Sequence, residues 1–248
     1  MKIRIKFAKE GFMKFIGHLD VMRYFQKAMR RADVDIVYTE GFSPHQKMSF
    51  AAPLGVGLES CGEYFDIEVH STKSTAKMLG ALNQVMVEGI SVLNYVELPE
   101  DSENAMSMVA AADYEICFGK ETFFTEEIQS LYHQFIDADS IEILKKTKKS
   151  EKVVDIKPLI LESKIVKCQK SEDTVPGIFM KLTTGSVNNL KPELVIEAFL
   201  QFLAEQGIVD INSSQVDITG LLYVKRLEIY GFNQEQLQSL DSFGKEIL

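Results

Sequence analysis

Two stretches in which polar and apolar residues alternate constrain the fold of this chain most. In residues 2–7, Ile3, Ile5 and Phe7 alternate with lysine and arginine, and residues 63–69 alternate in the same way. A two-residue period is that of a half-buried β-strand, because successive side chains point to opposite faces of the sheet. Both segments are therefore predicted to be strands whose apolar side faces a core.

If these two strands pair antiparallel, their charged side chains lie side by side. The cations of the first strand are Lys2, Arg4 and Lys6, and the acids of the second are Asp66 and Glu68. Opposite charges on directly paired residues stabilise a sheet. We therefore expect cross-strand ion pairs to neutralise this polar face.

Helical periodicity follows each alternating segment. Residues 18–32 and 74–87 carry apolar side chains at three- and four-residue steps, which is the spacing of one helix face. With short strands at 35–39 and 90–96, the order becomes βαββαβ, which is typical of the ferredoxin-like fold. The residues between Thr39 and Glu63 are too many for a plain turn, and we expect them to be functional or partly structured.

A second, looser βαββαβ pattern follows the acidic segment PEDSENAMSMVAA at residues 99–111. In it, Thr125 is placed to cap a helix and Pro192 to open one. The predicted strands are 114–118, 141–145, 153–166, 178–183 and 216–229, and the predicted helices are 125–136 and 192–205. The fold class is therefore predicted to be α+β, with two ferredoxin-like (βαββαβ) halves, the second with extra strands. The predicted parts are a basic domain 1–98, a linker 99–111, an acidic domain 112–232 and a C-terminal tail 233–248.

Charge is distributed unevenly along the chain. The net charge is −9, yet residues 1–50 hold ten Lys and Arg against five Asp and Glu. The other 198 residues therefore carry −14, because the first fifty carry +5. A basic beginning favours an anionic partner, and the acidic remainder opposes unselective binding.

The basic residues and the segment GFSPHQKMSF at 41–50 together predict a nucleic-acid site. Four cations fall on one face of the first helix, for which a solvated helix face is the alternative. The segment combines a cation, an imidazole, hydroxyls and aromatic rings, which hold phosphates and stack on bases. Its alternative is a hairpin with Phe42 and Phe50 packed beneath it. The predicted nucleic-acid-binding residues are Arg23, Lys27, Arg30, Arg31, Phe42, His45, Lys47 and Ser49.

Two further groups of residues are candidates for chemistry. His18, Asp20 and His45 are candidate catalytic residues, as an acid and base for RNA cleavage or as metal ligands. The alternative is a helix start in which His18 is a partial cap. A small-residue loop before Pro192 is a candidate anion-binding site at a helix N-terminus, with an ordinary capped turn as the alternative. The loop residues are Gly185, Ser186, Asn188 and Asn189.

Cysteine spacing and hydropathy exclude several classes. Cys61, Cys117 and Cys168 lie more than 50 residues apart and form no CxxC motif, so we expect reduced thiols and neither a metal nor another cofactor. No apolar run approaches the roughly 20 residues of a membrane helix. We therefore expect a cytoplasmic protein without a membrane partner.

The block FIGHLDVMRYFQKAMRRADVDIVYTEGFSPHQKMSFAAPLGVGLES resembles the radical-SAM-linked family of uncharacterised bacterial proteins, which are found beside or fused behind a radical SAM protein. Looser matches continue into VDIKPLI and TGSVNNLKPELV, so the resemblance covers most of the chain. It implies a radical SAM partner and a context of RNA processing and ribosomes. The chain departs from the family's usual residues at Gly17, Ser43 and Gln46, whereas His18, Asp20, Pro44, His45 and Lys47 match.

Charge and resemblance together predict an accessory protein that binds RNA and presents tRNA or rRNA to a radical SAM enzyme. The partner would supply the iron–sulfur chemistry, and no independent catalysis is expected. One alternative is an RNA endonuclease or RNA-modifying enzyme that uses His18 and His45. The other is a protein-interaction module that binds no nucleic acid.

Overall fold

A computed structural model describes residues 1–118, 123–146, 151–170, 173–185, 188–208 and 222–248. The protein is a mixed α+β protein with a large, mostly antiparallel sheet. It divides into two compact units: unit 1 comprises Met1–Ala111 and Arg226–Leu248, and unit 2 comprises Ala112–Lys225. Unit 1 is thus built from both ends of the chain.

The elements follow one another in this order. Unit 1 contains β1 (Lys2–Lys9), α1 (His18–Arg31), β2 (Met48–Phe50), β3 (Glu59–Glu68), α2 (Thr75–Gln84), β4 (Ile90–Leu98), α3 (Ala105–Met108) and the start of β5 (Val109–Phe118). Unit 2 continues β5 and adds α4 (Glu126–Ile136), β6 (Glu142–Lys146), β7 (Glu151–Asp155), β8 (Ile160–Lys170), β9 (Asp173–Thr183) and α5 (Pro192–Glu205). The chain returns to unit 1 in β10 (Leu222–Asn233), followed by β11 (Gln236–Ser239) and a 3-10 turn at Leu240–Phe243.

An aromatic core holds unit 1 together. Its strands run in the order β4-β1-β3, with β2 beside β3, and the apolar alternation places Phe7 and Phe65 on the inner face. The ring of Phe25 on α1 lies 4.7 Å from each of them, centroid to centroid. Phe25 is fully buried, and shortening such a side chain to alanine costs about 3–5 kcal/mol.

The polar face of β1 and β3 has the predicted register. Lys2 faces Glu68 and Arg4 faces Asp66, and Arg4 Nε donates to Asp66 Oδ1 at 2.8 Å. The prediction that Arg4 pairs with Asp66 is confirmed. Lys6 instead faces Tyr64 and pairs with Glu228 of β10 at 2.5 Å.

The predicted linker and tail are built into unit 1, so the structural division differs from the predicted bounds. Residues 99–111 contain α3 and enter β5, and the closing residues form β11 and the 3-10 turn. Arg4 is fully buried and donates to the carbonyl of Leu240 at 3.0 Å, while the amide of Ala105 donates to Asp66 at 2.7 Å. Few apolar residues, Ala105 and Leu240 among them, anchor these segments in the core. Their sequences therefore lack the apolar periodicity by which a packed element is predicted.

Unit 2 has the strand order β5-β9-β8, with β6 and β7 as a separate hairpin. Its helices α4 and α5 meet through Tyr132 and Phe199, whose ring centroids are 5.0 Å apart. Two predictions are confirmed: Thr125 caps α4 by accepting from the amide of Ile128, and Pro192 is the first residue of α5. The predicted strand 153–166 is interrupted by a 3-10 turn at Lys157–Leu159. The described part of the predicted strand 216–229 begins at Leu222, and residues 209–221 lie outside the described residues.

The residues between Thr39 and Glu63 are partly structured, as expected. Residues 35–39 form isolated bridges, Ile36 to Val69 and Tyr38 to Gln46, in place of a continuous strand. β2 then pairs with β3. No helix of the described residues is long and apolar enough to cross a membrane.

Candidate nucleic-acid interface

The four basic side chains of α1 are all exposed, but two of them are engaged within the protein. Arg23 pairs with Asp20 one turn earlier at 3.4 Å. Arg31 donates to the carbonyl of Val85 at 3.2 Å and lies over the ring of Tyr24. Lys27 and Arg30 have no ion-pair partner among the described residues, so they are the cations that this face offers to a ligand.

A hairpin at residues 38–47 lies beside this helix. Its two arms are joined by a hydrogen bond from the amide of Thr39 to the carbonyl of His45, and His45 Nδ1 lies 3.1 Å from Thr39 Oγ1. Gly41 at its tip has φ of 110°, a conformation that favours glycine. The ring of Phe42 is fully exposed, so the hairpin presents an aromatic side chain to solvent.

Lys47 contributes less free charge than expected. Its ammonium lies 2.7 Å from Glu68 Oε2, and an acidic neighbour offsets its field towards an anion. Ser49 is half-buried in β2, opposite Asp66. Phe50 packs in the core at 4.9 Å from Phe65, so of the two phenylalanines only Phe42 is available to a ligand.

One pocket brings the helix and the hairpin together. It has a volume of about 200 Å³ and is lined by Gln26, Arg30, Tyr38, Pro44, His45 and Gln46. Arg30, His45 and the exposed Tyr38 thus border one space. This is the part of the predicted site that the structure assembles.

Gln46, which lines the pocket, contains an unused hydrogen-bond acceptor. Its side chain is 6% exposed, and its Nε2 donates to the carbonyl of Gln26 at 3.1 Å. A carbonyl oxygen only accepts, so this bond fixes which end of the amide is the nitrogen. The amide oxygen, Oε1, is buried without a hydrogen-bond partner, which is an uncommon state for a buried polar atom.

The two candidate catalytic histidines have different surroundings. His18 lies edge-on to Phe50 with ring centroids 5.4 Å apart, whereas His45 contacts Thr39 and the carbonyl of Ser43. Burial lowers the pKa of His18, and the nearby Glu63 carboxylate partly opposes this. Among the described contacts the two imidazoles share no neighbour, so the structure gives no support to an acid–base pair.

A buried group of charges, which sequence analysis did not identify, lies close to His18. Arg226 binds Glu63 through two hydrogen bonds and also donates to the carbonyl of Ala52. Lys9 is 2% exposed; burial lowers its pKa, Glu63 raises it and Arg226 lowers it further. Arg226 and Glu63 are 163 positions apart in sequence, so spacing could not have linked them.

The predicted anion-binding loop lies in unit 2, away from the residues of this interface in sequence. Gly185 has φ of 149°, and Asn188 and Asn189 are exposed. Ser186 lies outside the described residues. The side chain of Lys191, the residue before α5, makes no capping hydrogen bond.

Comparison with known proteins gives a family and a weak structural likeness. No curated protein matches the chain. A crystal structure of an unknown protein from Galdieria sulphuraria aligns with 83% of this chain and 93% of its own, at 11% identity and a TM-score of 0.21. A family model described as an uncharacterised protein conserved in bacteria (DUF2344) matches residues 2–192, which are 191 of the 248 residues. The chain therefore belongs to that bacterial family.

Proposed function

We propose that this protein binds RNA through α1 and the hairpin at 38–47, and that it presents tRNA or rRNA to a radical SAM partner. The observation that carries the proposal is the shared pocket of Arg30 and His45, together with the exposed side chains of Lys27 on α1 and Phe42 on the hairpin. Cations hold phosphates, and exposed rings stack on unpaired bases. The arrangement suits a single-stranded or looped segment of RNA.

The energetics favour a contact that combines charge with stacking. Stacking one base on an aromatic side chain is worth about 1–3 kcal/mol, and Phe42 is fully exposed for it. The electrostatic contribution to binding is limited, because Lys47 and Arg23 are already paired with carboxylates. Lys27 and Arg30 should therefore dominate the salt dependence of binding.

The test is the affinity for short single-stranded RNA and for a tRNA transcript, measured by fluorescence anisotropy at several salt concentrations. The double variant K27A/R30A should lower the slope of log affinity against log salt by about 1.4, since each phosphate contact to a single strand contributes about 0.7. Its matched control, K167A/K191A, removes two exposed lysines of unit 2 and should bind as the native protein does. An RNA affinity that changes neither with salt concentration nor in the K27A/R30A variant would contradict the proposal.

We also propose that the two halves are ferredoxin-like and that the partner is a radical SAM protein. The order β4-β1-β3, with β2 also paired to β3, matches a ferredoxin-like sheet and supports this assignment for the first half, although β10 is a further neighbour of β3. A radical SAM partner would bring its own iron–sulfur cluster. RNA retention by the partner should rise when this protein is added and should not rise with K27A/R30A.

An RNA-modifying or RNA-cleaving enzyme is the second candidate, and His18 is the residue that favours it. Its imidazole, with its pKa lowered by burial, stays neutral at pH 7 and is able to accept a proton. This candidate requires turnover by the purified protein without any partner. His18→Gln would abolish that turnover, and loss on His45→Ala would bring the second histidine into the reaction.

A protein-interaction module is the third candidate, and exposed apolar side chains near the start of α1 favour it. Phe12 is 91% exposed, and Phe15 and Leu19 are also exposed. Such a module would form a stable complex with the radical SAM protein that is indifferent to charge reversal at Arg23, Lys27 and Arg30. Nucleic acid that co-purifies with the protein would exclude it.

A further inference from the structure

Two cysteines and a glutamate converge in unit 2. Glu115 and Cys117 are two residues apart on β5 and therefore point to the same face of the strand. Cys168 lies on β8, and β9 runs between these two strands. The Glu115 carboxylate and the two sulfur atoms nevertheless all lie within 4.8 Å of one another.

A glycine on the intervening strand makes this approach possible. Gly177 of β9 has no side chain, and a Cβ at this position would overlap Cys168 Sγ and lie 2.6 Å from the carbonyl oxygen of Ile116. Cys168 Sγ instead reaches across β9 and lies 3.7 Å from that carbonyl oxygen. The position of the sulfur thus depends on an empty space in the neighbouring strand.

The chemistry of the three groups matches a borderline-soft metal ion. Zinc binds thiolate at about 2.3 Å and carboxylate at about 2.0–2.2 Å, which places its ligands about 3.5–3.8 Å apart. Cys117 Sγ and Glu115 Oε1 are already 3.9 Å apart. Cys168 is fully buried and Cys117 nearly so, whereas Glu115 is half-exposed. An ion would enter from the side of the carboxylate.

We propose that Glu115, Cys117 and Cys168 bind one zinc ion, or a divalent ion of similar softness, and leave a fourth position for water. Three protein ligands with an open position are the usual composition of a zinc site that exchanges a ligand. A purely structural role for the cysteines would need only small apolar side chains beside Val175. It would not place two sulfur atoms against a carboxylate.

Binding releases protons in this scheme. Two neutral thiols become thiolates as the ion binds, and two protons leave to solvent. Affinity should therefore increase as pH rises, because fewer protons must be displaced.

The test uses the full chain, treated with a chelator and kept reduced with a phosphine, then titrated with cobalt(II) and zinc(II). One cobalt per chain should bind with the near-ultraviolet absorption of thiolate-to-cobalt charge transfer, and zinc should displace it. C117S/C168S should lose this absorption, and E115Q should keep it with an affinity at least about tenfold weaker. C61S, which changes the cysteine of unit 1, should behave as the native protein.

The outcomes distinguish the site from a packed pair of thiols. Absence of charge-transfer absorption in the reduced native chain would overturn the proposal, and so would absorption that persists in C117S/C168S. Circular dichroism of each variant checks that it is folded. If C117S/C168S fails to fold, the affinity of E115Q and the pH dependence of the native chain decide: an unchanged affinity in E115Q, or no increase with pH, would overturn it.

Discussion

At the scale of single residues, unit 1 is unusual for the charge that it buries. Arg226 and Glu63 have side chains only 3% and 6% exposed. A buried pair of this kind gains little net free energy over apolar replacements, yet loss of one partner leaves an uncompensated charge. We therefore expect the pair to matter more for which conformation forms than for overall stability.

Removal of one partner should reveal this cost. Arg226→Met removes the two hydrogen bonds that the guanidinium donates to the buried Glu63 carboxylate, so the free energy of unfolding should fall by about 3–5 kcal/mol. The double variant Arg226→Met/Glu63→Gln should recover part of that loss, because the Glu63 charge is gone while the Lys9 ammonium stays buried. Urea denaturation measures both. Equal losses in the single and double variants would mean that packing, and not charge, dominates.

His18 gives a pH dependence of known sign. Its pKa in the folded protein lies below the ordinary value of 6.5 because of burial, so the unfolded chain binds more protons at mildly acidic pH. Stability should then fall as pH decreases through about 6.5, and His18→Gln should make this part of the curve shallower. Denaturation midpoints at closely spaced pH values, with an NMR titration of the imidazole, measure the effect. An imidazole that titrates at or above 6.5 would contradict it.

At the scale of elements, the backbones of β3 and β10 approach closely at Gly62. Gly62 on β3 is buried, and a Cβ there would lie 2.5 Å from the Cα of Glu228 on β10. No side chain fits between these strands unless the backbone moves. β3 and β10 therefore depend on glycine at this position.

Two glycine substitutions should consequently have opposite effects. Gly62→Ala should destabilise the protein by about 1–3 kcal/mol, the usual cost of overpacking. Gly80→Ala on α2, where a Cβ meets nothing within 4 Å, should be neutral or stabilising by up to about 1 kcal/mol. Thermal unfolding of the two variants side by side gives the comparison. Equal stability of the Gly62→Ala and Gly80→Ala variants would show that β3 and β10 can separate far enough to admit a methyl group at little cost.

Periodicity in the sequence predicted the elements whose signal is local. The alternation of residues 2–7 and 63–69 gave the strands, and the charge pattern gave the pairing of Arg4 with Asp66. Charge and residue type led us to combine α1 and residues 41–50 in one predicted site, and Arg30 and His45 line one pocket in the structure. Sequence analysis missed two pairs, Arg226 with Glu63 and Cys168 with Cys117. The members of each pair lie on strands that are far apart in sequence, and no local sequence motif connects them.

At the scale of the whole molecule, unit 1 requires its C-terminal residues. Tyr64 donates to Glu228 at 2.6 Å and to Asp241 at 3.1 Å, and burial together with these carboxylates raises the pKa of Tyr64 far above 10. Leu240 is fully buried. A chain without these residues would leave the polar face of β1 and β3 uncovered.

A chain that ends at Lys225 tests this dependence. Hydrogen exchange within residues 1–111 should be much faster than in the full chain, because Glu63 loses Arg226, Tyr64 loses two carboxylates, and Arg4 loses the carbonyl of Leu240. Addition of a peptide of residues 226–248 should restore protection, whereas a scrambled peptide should not. Equal protection in the short and full chains would show that residues 1–111 fold on their own.

The discontinuity of unit 1 also sets an order in time during synthesis on the ribosome. After Ala111 has been made, 114 residues must follow before Arg226 is added, which takes about 6–23 s at roughly 5–20 residues per second. Throughout that interval the nascent first segment holds Glu63 and Arg4 without the strand and turn that later enclose them. Unit 2 is complete in sequence before unit 1. A chaperone that shields the nascent residues 1–111 would therefore have to stay bound until residues 226–248 have been made.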